Sequence, residues 1–124
     1  MLSATPLKAF IPTTHPSKAE SFYRDVLGLE LISKDKFGIE FNANGISLRV
    51  TNVPSLTPHP FTVLGWNVPD ISGMVQTLSE KGVAFERYDF MDQDKNNVWT
   101  SPSGTRVAWF KDPDGNLLSI SQLP

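Results

Sequence analysis

The chain contains no cysteine. Disulfide frameworks, thiolate zinc sites and cysteine nucleophiles are therefore excluded. Histidine is almost as scarce: His15 and His59 stand alone, each followed by proline, which places both in extended or turn backbone, where such side chains usually face solvent. An excess of positive charge is missing too. With 11 Lys and Arg against 13 Asp and Glu the net charge is −2, which offers no basic footprint for nucleic acid and no polybasic patch for a membrane surface. No apolar run approaches the roughly 18 residues of a membrane span, and the start of the chain lacks the pattern of a secretory leader. These absences lead to the expectation of a cytoplasmic protein with no nucleic-acid or membrane partner. What is present, 40% hydrophobic and 10% aromatic residues in 124, suffices for one compact domain with a real core.

Near the C-terminus, Trp109 to Phe110 and Leu117 to Ile120 flank the turn Asp112-Pro113-Asp114-Gly115-Asn116. Pro113 presets φ for the first central position, Gly115 accepts the left-handed conformation that follows, and Asp112 is placed to accept backbone N–H groups, so the segment reads as a hairpin. Asp112, Asp114 and Asn116 also have the one-three-five spacing of a calcium loop. The twelfth position, however, is Leu123 and not the bidentate glutamate such a loop needs, and the structural turn is the preferred reading.

An internal repeat organises the rest. A strand at about 7–12 is followed by a helix at about 17–26, with Ser17 as N-cap, Glu20 at its third position and Gly28 ending it. A strand at 29–33 and a hairpin of 37–41 with 46–50 around Asn44-Gly45 complete the first half. In the second half, a strand at 62–68 leads to a helix at 71–81 capped by Asp70 and closed by Gly82. A strand at 83–86 and the hairpin of 107–110 with 117–121 follow. Each half is β-α-β-β-β. Residues 1–53 form module one and 61–124 module two of a single domain spanning 1–124, and Pro54 to Pro60 form the linker. Only the second half carries a polar excursion from Tyr88 to Trp99, which is either a binding lid or a solvated loop with a short extra strand at Val98 and Trp99.

Taken together, Glu20 to Leu31, Val68-Pro69-Asp70-Ile71, Glu80-Lys81-Gly82-Val83 and the Asp112-to-Asn116 turn resemble the vicinal oxygen chelate superfamily, over nearly the whole chain. That family includes glyoxalase I, fosfomycin-resistance enzymes, extradiol dioxygenases, methylmalonyl-CoA epimerase and bleomycin-resistance proteins. The resemblance implies an α+β, glyoxalase-like fold, in which two β-α-β-β-β modules form a curved mixed-sheet cup with helices outside. It also implies a two-fold homodimer and a ligand held in the cup. Family enzymes hold a divalent metal with His and Glu on the first and last strands of the modules. Carried onto this chain, those positions fall on Lys8, Arg49, Val63 and Ser119. None is a good ligand, and two are cations, so no metal or other cofactor is expected.

Strand alternation puts Lys8, Phe10 and Pro12 on one face and Ala9 and Ile11 on the other; it groups Ser47, Arg49 and Thr51 opposite Ile46, Leu48 and Val50. Val63, Gly65 and Asn67, with Leu117, Ser119 and Ser121, should line the cup in the second half. Arg49 is open to two readings, an anchor for a carboxylate or phosphate and a surface charge on a sheet edge. Trp66 is expected in the core under the helix and Trp99 at the cup rim, whereas Trp109 fits either place. The expected ligand-binding residues are thus Lys8, Phe10, Arg49, Asn67, Trp99, Trp109 and Ser119.

The acids Glu30, Glu40, Glu80 and Glu86 have no partner visible in the sequence. The leading function is a metal-free small-molecule binding protein. Its alternatives are a metal-dependent lyase, isomerase or dioxygenase using His15, His59, Asp89, Asp92 or Asp94, and an antibiotic-sequestering resistance protein. The sequence alone leaves catalytic turnover and ligand identity open.

Overall fold

Alternation around Ile11 is realised as a strand with one dry and one wet face. Strand β1 (Lys8–Thr13) buries Ile11 and Thr13 and exposes Lys8 and Phe10. The computed structural model describes every residue from Met1 to Pro124, and these divide into two compact units, Met1–Thr57 and Pro58–Pro124. In the first unit β1 is followed by helix α1 (Pro16–Ser21), a wider π turn (Phe22–Val26), and strands β2 (Glu30–Asp35), β3 (Gly38–Ala43) and β4 (Ile46–Asn52). The sheet order is β1-β4-β3-β2, with β1 parallel to β4 and the other pairs antiparallel.

The first helix begins one residue earlier than its sequence suggests. His15 occupies the N-cap without a side-chain capping bond, and Pro16 takes the first helical position, where its missing N–H costs nothing. Ser17 is therefore not the cap. Glu20 no longer sits three residues from a cap either; its carboxylate accepts from Arg24 Nη1 at 2.7 Å and Lys34 Nζ at 2.9 Å. The Lys34 hydrogen bond is the main reason its carboxyl lies below the usual glutamate range. The π turn closes with Leu27 N donating to Phe22 O at 3.0 Å, and Gly28, at φ +75°, lets the chain leave.

Ala19 and Tyr23, four residues apart, are fully buried, with the Tyr23 ring centroid 6.0 Å from that of Phe41. Ile39, Leu48 and Val50 share this core. Ile46, which parity groups with Leu48 and Val50, is 40% exposed instead, because it opens β4 at the turn, beyond the core. Asn44 and Gly45 at that turn have φ of 51° and 89°, the mirror-image geometry that suits a two-residue hairpin.

The second unit repeats the order with β5 (Leu64–Asn67), α2 (Ile71–Glu80), β6 (Trp99–Thr100), β7 (Arg106–Lys111) and β8 (Leu117–Gln122). Its sheet runs β5-β8-β7-β6, with β5 parallel to β8. Asp70 caps α2 by accepting from Gly73 N at 3.2 Å, and the helix buries Ile71, Val75 and Leu78 along one stripe. Leu118 and Ile120 of β8 and Ala108 and Phe110 of β7 fill the same core.

Two expectations fail here. Residues 83–86 are not a strand: Glu86 N donates to Trp109 O at 2.8 Å, but no ladder develops, and the outer place in the sheet goes to Trp99 and Thr100, paired with Val107 and Arg106. Trp66 is only half-buried, because β5 is a four-residue edge strand and α2 packs on β7 and β8. The α+β class and the two mixed sheets are as expected. No helix is long and apolar enough to cross a membrane.

Candidate functional site

The open face of the second sheet is set by register. Lys111 lies opposite Leu117, and Trp109 opposite Ser119, with Gly65 on the other side of Ser119. A Cβ at residue 65 would meet Ser119 Oγ at 2.7 Å, so glycine there makes room for that hydroxyl. The indole of Trp109 is held by its own polar edge: Nε1 donates to Thr62 Oγ1 at 3.1 Å. The β7–β8 turn forms as its residues predict. Asp112 Oδ1 accepts from Asp114 N and Asn116 N, each at 2.9 Å, and Oδ2 accepts from Asn116 Nδ2 at 2.9 Å, all largely away from solvent. Gly115 takes φ 87°, and a side chain there would meet Pro58 at 3.3 Å.

The excursion between α2 and β6 is ordered by a side chain, not by a ladder. Gln93 is 6% exposed; its Nε2 donates to Glu86 O at 3.0 Å and Asn97 O at 2.8 Å, and its Oε1 accepts from Tyr88 N at 2.7 Å. Arg87 clamps the same loop through Asp94 O and Asn97 Oδ1. Asn97, at φ 63°, turns the chain into β6. Backbone polarity is thus satisfied by these side chains and one antiparallel bridge between Gln93 and Trp99, and Tyr88 and Phe90 are brought to Trp109. The Tyr88 ring lies 5.4 Å from Phe90 and 5.9 Å from Trp109, the latter edge to face.

These rings line an open cleft of about 620 Å³, contained wholly in the second unit, with Phe61 and Met91 adding to its apolar wall and Pro58, His59 and Pro60 among its lining. His59 stacks on Phe61, with ring planes 5° apart. The charged groups of the cleft are Glu86 and Lys111, paired at 3.4 Å. Burial, aided by the negative charge of Glu86, pushes the Tyr88 phenol above its ordinary pKa.

Of the residues expected to contact a ligand, Trp109 lines this cleft, and Trp99, outside the lining, has its ring centroid 6.1 Å from that of Trp109. Ser119 sits in the sheet beside Trp109, and Asn67 is exposed one row further along. Lys8, Phe10 and Arg49 belong to the first unit. The Lys8 ammonium lies 5.6 Å from the Phe10 ring centroid, and Phe10 is 62% exposed. Arg49 adjoins Phe10 in the ladder and pairs with Asp35 at 3.2 Å. It stands on an inner strand, which corrects its reading as an edge charge. The acids have partners after all, Glu30 in Asn42, Glu40 in Ser47, Glu80 in Gln76 and Glu86 in Lys111.

Sequence reasoning missed Phe61, Tyr88, Phe90, Glu86 and Lys111 as a group. The available signal was the aromatic content of the excursion and of the segment that follows the prolines. The prolines at 58 and 60, read as linker, are themselves part of the cleft wall.

The positions that hold a divalent metal in the resembled enzymes do not fit one here. Val63 precedes β5 and is exposed, so that the residue beside Ser119 is Gly65, and the residue beside Arg49 is Phe10. A lysine, an arginine, a serine, a phenylalanine and a glycine supply no imidazole or carboxylate. Nor do three His, Asp or Glu side chains gather elsewhere in a metal-holding group. His15 Nδ1 lies 3.0 Å from Thr14 Oγ1, Asp94 Oδ1 accepts from Asn96 N and Val98 N, and Asp89 and Asp92 are exposed.

Residues 6–120 match the profile of the Glyoxalase/Bleomycin resistance protein/Dioxygenase superfamily. The chain belongs to this superfamily. Members of the glyoxalase superfamily and similar proteins of known structure superpose along the whole length. A superfamily member from Sphaerobacter thermophilus DSM 20745 has a TM-score of 0.77 at 23% identity, covering 98% of this chain and 99% of the other. TnmS3, an antibiotic binding protein from Streptomyces sp. CB03234, has 0.73 at 24% identity, covering 100% and 99%. Lactoylglutathione lyase from Agrobacterium tumefaciens has 0.71 at 17% identity, covering 96% and 93%. At these identities the likeness establishes the glyoxalase-like fold. Among curated protein sequences none matches.

Proposed function

We propose that this glyoxalase-superfamily chain is a small-molecule binding protein, acting without a resident divalent metal, whose ligand enters the aromatic cleft of the second unit. The cleft carries the reading: apolar ring surface lies beside a few fixed polar groups, in a volume suited to a small organic molecule. The unsuitable donor set at the family's metal positions supports the metal-free part. The test is a fragment screen by two-dimensional NMR. Its expected result is saturable shifts confined to residues 58–62, 86–91 and 109–117, with no saturable rise in Tm on titrating Mn, Co, Ni or Zn. Stoichiometric metal that raises Tm would instead restore the reading as a lyase, isomerase or dioxygenase.

Sequestration of an antibiotic is a second reading, favoured by the full-length likeness to an antibiotic binding protein. Raised drug tolerance on overexpression is its expected outcome, and unchanged sensitivity across drug classes would remove it. A two-fold homodimer and a cytoplasmic location complete the proposal, the first testable by sedimentation. Ligand contacts by Lys8, Phe10, Arg49, Asn67 and Ser119 would show as further shifts in the same screen.

A further inference from the structure

The cleft of the second unit combines aromatic walls with a balanced pair of charges. Trp109 is half-exposed, and its indole N–H already donates to Thr62, so its ring makes no polar demand on a ligand. Phe90 is 80% exposed and Phe61 more than half, an apolar surface that water covers at a cost unless a ring or hydrocarbon displaces it. The charged lining consists of one carboxylate and one ammonium, with Glu86 Oε1 and Lys111 Nζ 3.4 Å apart, while His59 stacks on Phe61. That separation exceeds the roughly 2.7–2.9 Å of a fully formed charge-assisted hydrogen bond. Glu86 therefore keeps acceptor positions and Lys111 keeps N–H donors, side by side and with no net charge. An anionic ligand would gain Lys111 but face the charge of Glu86, and a cationic one would gain Glu86 but face Lys111. Either ion gives up hydration with no net Coulomb gain to offset it. An uncharged group that both accepts and donates meets a partner in each residue.

We infer that the cleft takes an uncharged planar aromatic molecule whose edge carries a hydrogen-bond acceptor and donor side by side, as in a primary amide or a lactam. Its ring lies against Trp109, its acceptor at Lys111 Nζ and its donor at the Glu86 carboxylate. This deepens the proposed binding function and rests on the cleft being the ligand site. Planarity follows from walls made of ring faces and edges, which reward flat contact. The paired edge follows from opposite charges held together: for an ion their fields cancel, whereas for an amide their hydrogen-bonding capacities add.

The test compares five probes by NMR titration of the full chain at about pH 8, the upper end of the range in which histidine ordinarily titrates. They are naphthalene-2-carboxamide, its saturated decahydro analogue, methyl 2-naphthoate, 2-naphthoate and 2-naphthylmethylammonium. The aromatic carboxamide should bind most tightly, with the indole cross-peak of Trp109 shifting along with the amides of Glu86 and Lys111. The methyl ester, which lacks the donor, should bind about fivefold more weakly, the factor one hydrogen bond is worth. The saturated amide should also lose about fivefold, for want of aromatic contact. The two ions should bind more weakly than the carboxamide and about equally with each other. Lys111→Gln should then tilt their ratio about tenfold toward the ammonium, and Glu86→Gln about tenfold toward 2-naphthoate. A wild-type preference of about tenfold for either ion would overturn the inferred ligand class while leaving the cleft as the site, as would an ion, the ester or the saturated amide equalling the aromatic carboxamide. Shifts by no probe and no fragment at these residues would overturn the cleft reading itself.

Discussion

The two units share one order of elements but use their open sheet faces differently. In the first, β2, β3 and β4 are six or seven residues long and are joined through residues 36–37 and 44–45. Long pairing makes neighbours of polar side chains, and they satisfy one another: Arg49 with Asp35, Ser47 with Glu40, Asn42 with Glu30. In the second, the outermost strand shrinks to Trp99–Thr100, and residues 81–98 leave the ladder apart from a single bridge between Gln93 and Trp99. One glutamine replaces the lost backbone pairing, and the released chain carries Tyr88 and Phe90 to Trp109. A repeated fold can thus gain a concave aromatic surface in one copy by exchanging strand length for a side-chain-pinned loop.

The largest test of this comparison is in the cores. Phe41→Ala and Phe110→Ala each remove a fully buried ring and should each cost about 3–5 kcal/mol in urea unfolding. Only Phe110→Ala should also weaken probe binding by the folded protein, since Phe110 packs on Phe85, 5.5 Å away, at the root of the excursion. Equal loss of binding from Phe41→Ala would end the functional distinction between the units. Next comes Gln93→Leu, which strips partners from Glu86 O, Asn97 O and Tyr88 N and should cost about 2 kcal/mol. By hydrogen exchange the Tyr88 amide should then open about 30-fold more often, with the amides of β3 and β4 unaffected.

A finer contrast uses the two left-handed asparagines. Asn44→Gly should be close to neutral, because glycine suits the φ of 51°. Asn97→Gly should cost about 1 kcal/mol, because it loses the hydrogen bonds to Arg87 Nη1 and Phe85 O. The smallest effect is an acid dependence specific to the first unit. Asp35 is held below the usual aspartate range chiefly by the Phe37 N–H, with Gly38 N–H and Arg49 adding. A depressed folded-state pKa means that its contribution is complete above the ordinary aspartate pKa and fades as pH falls through the folded value. Asp35→Asn should therefore flatten a small part of the stability loss on acidification, read as the urea midpoint at pH 7 and at decreasing pH, without changing probe binding.

Much of the fold was legible in the residues because its instructions are local. Asn44-Gly45, Asp70, Gly28, Gly82 and the Asp112-to-Asn116 turn act on backbone within a few positions, and the structure uses each as its chemistry predicts. Parity likewise sorted Ile11, Leu48, Val50, Leu118 and Ile120 into the cores, since alternation needs no partner to be known. It failed for Ile46 and Trp66, where a strand ends or an edge lacks cover. Ser17 failed as a cap because Pro16 could begin the helix at no cost.

The sequence by itself therefore determined the repeat, the turns, the inward faces and the unsuitability of Lys8, Arg49 and Ser119 as metal ligands. The tertiary structure decided between the short strand at Val98 and Trp99 that the sequence offered as one of two readings and the strand expected at 83–86, placing Trp99–Thr100 in the second sheet, and it alone decided that Gly65 would flank Ser119 and that Gln93 would gather backbone groups from residues 86, 88 and 97. The physical reason is that turn and parity preferences are paid within a few residues. Strand choice and the cleft depend instead on contacts across long loops, where competing pairings differ by small energies that only the closed packing resolves.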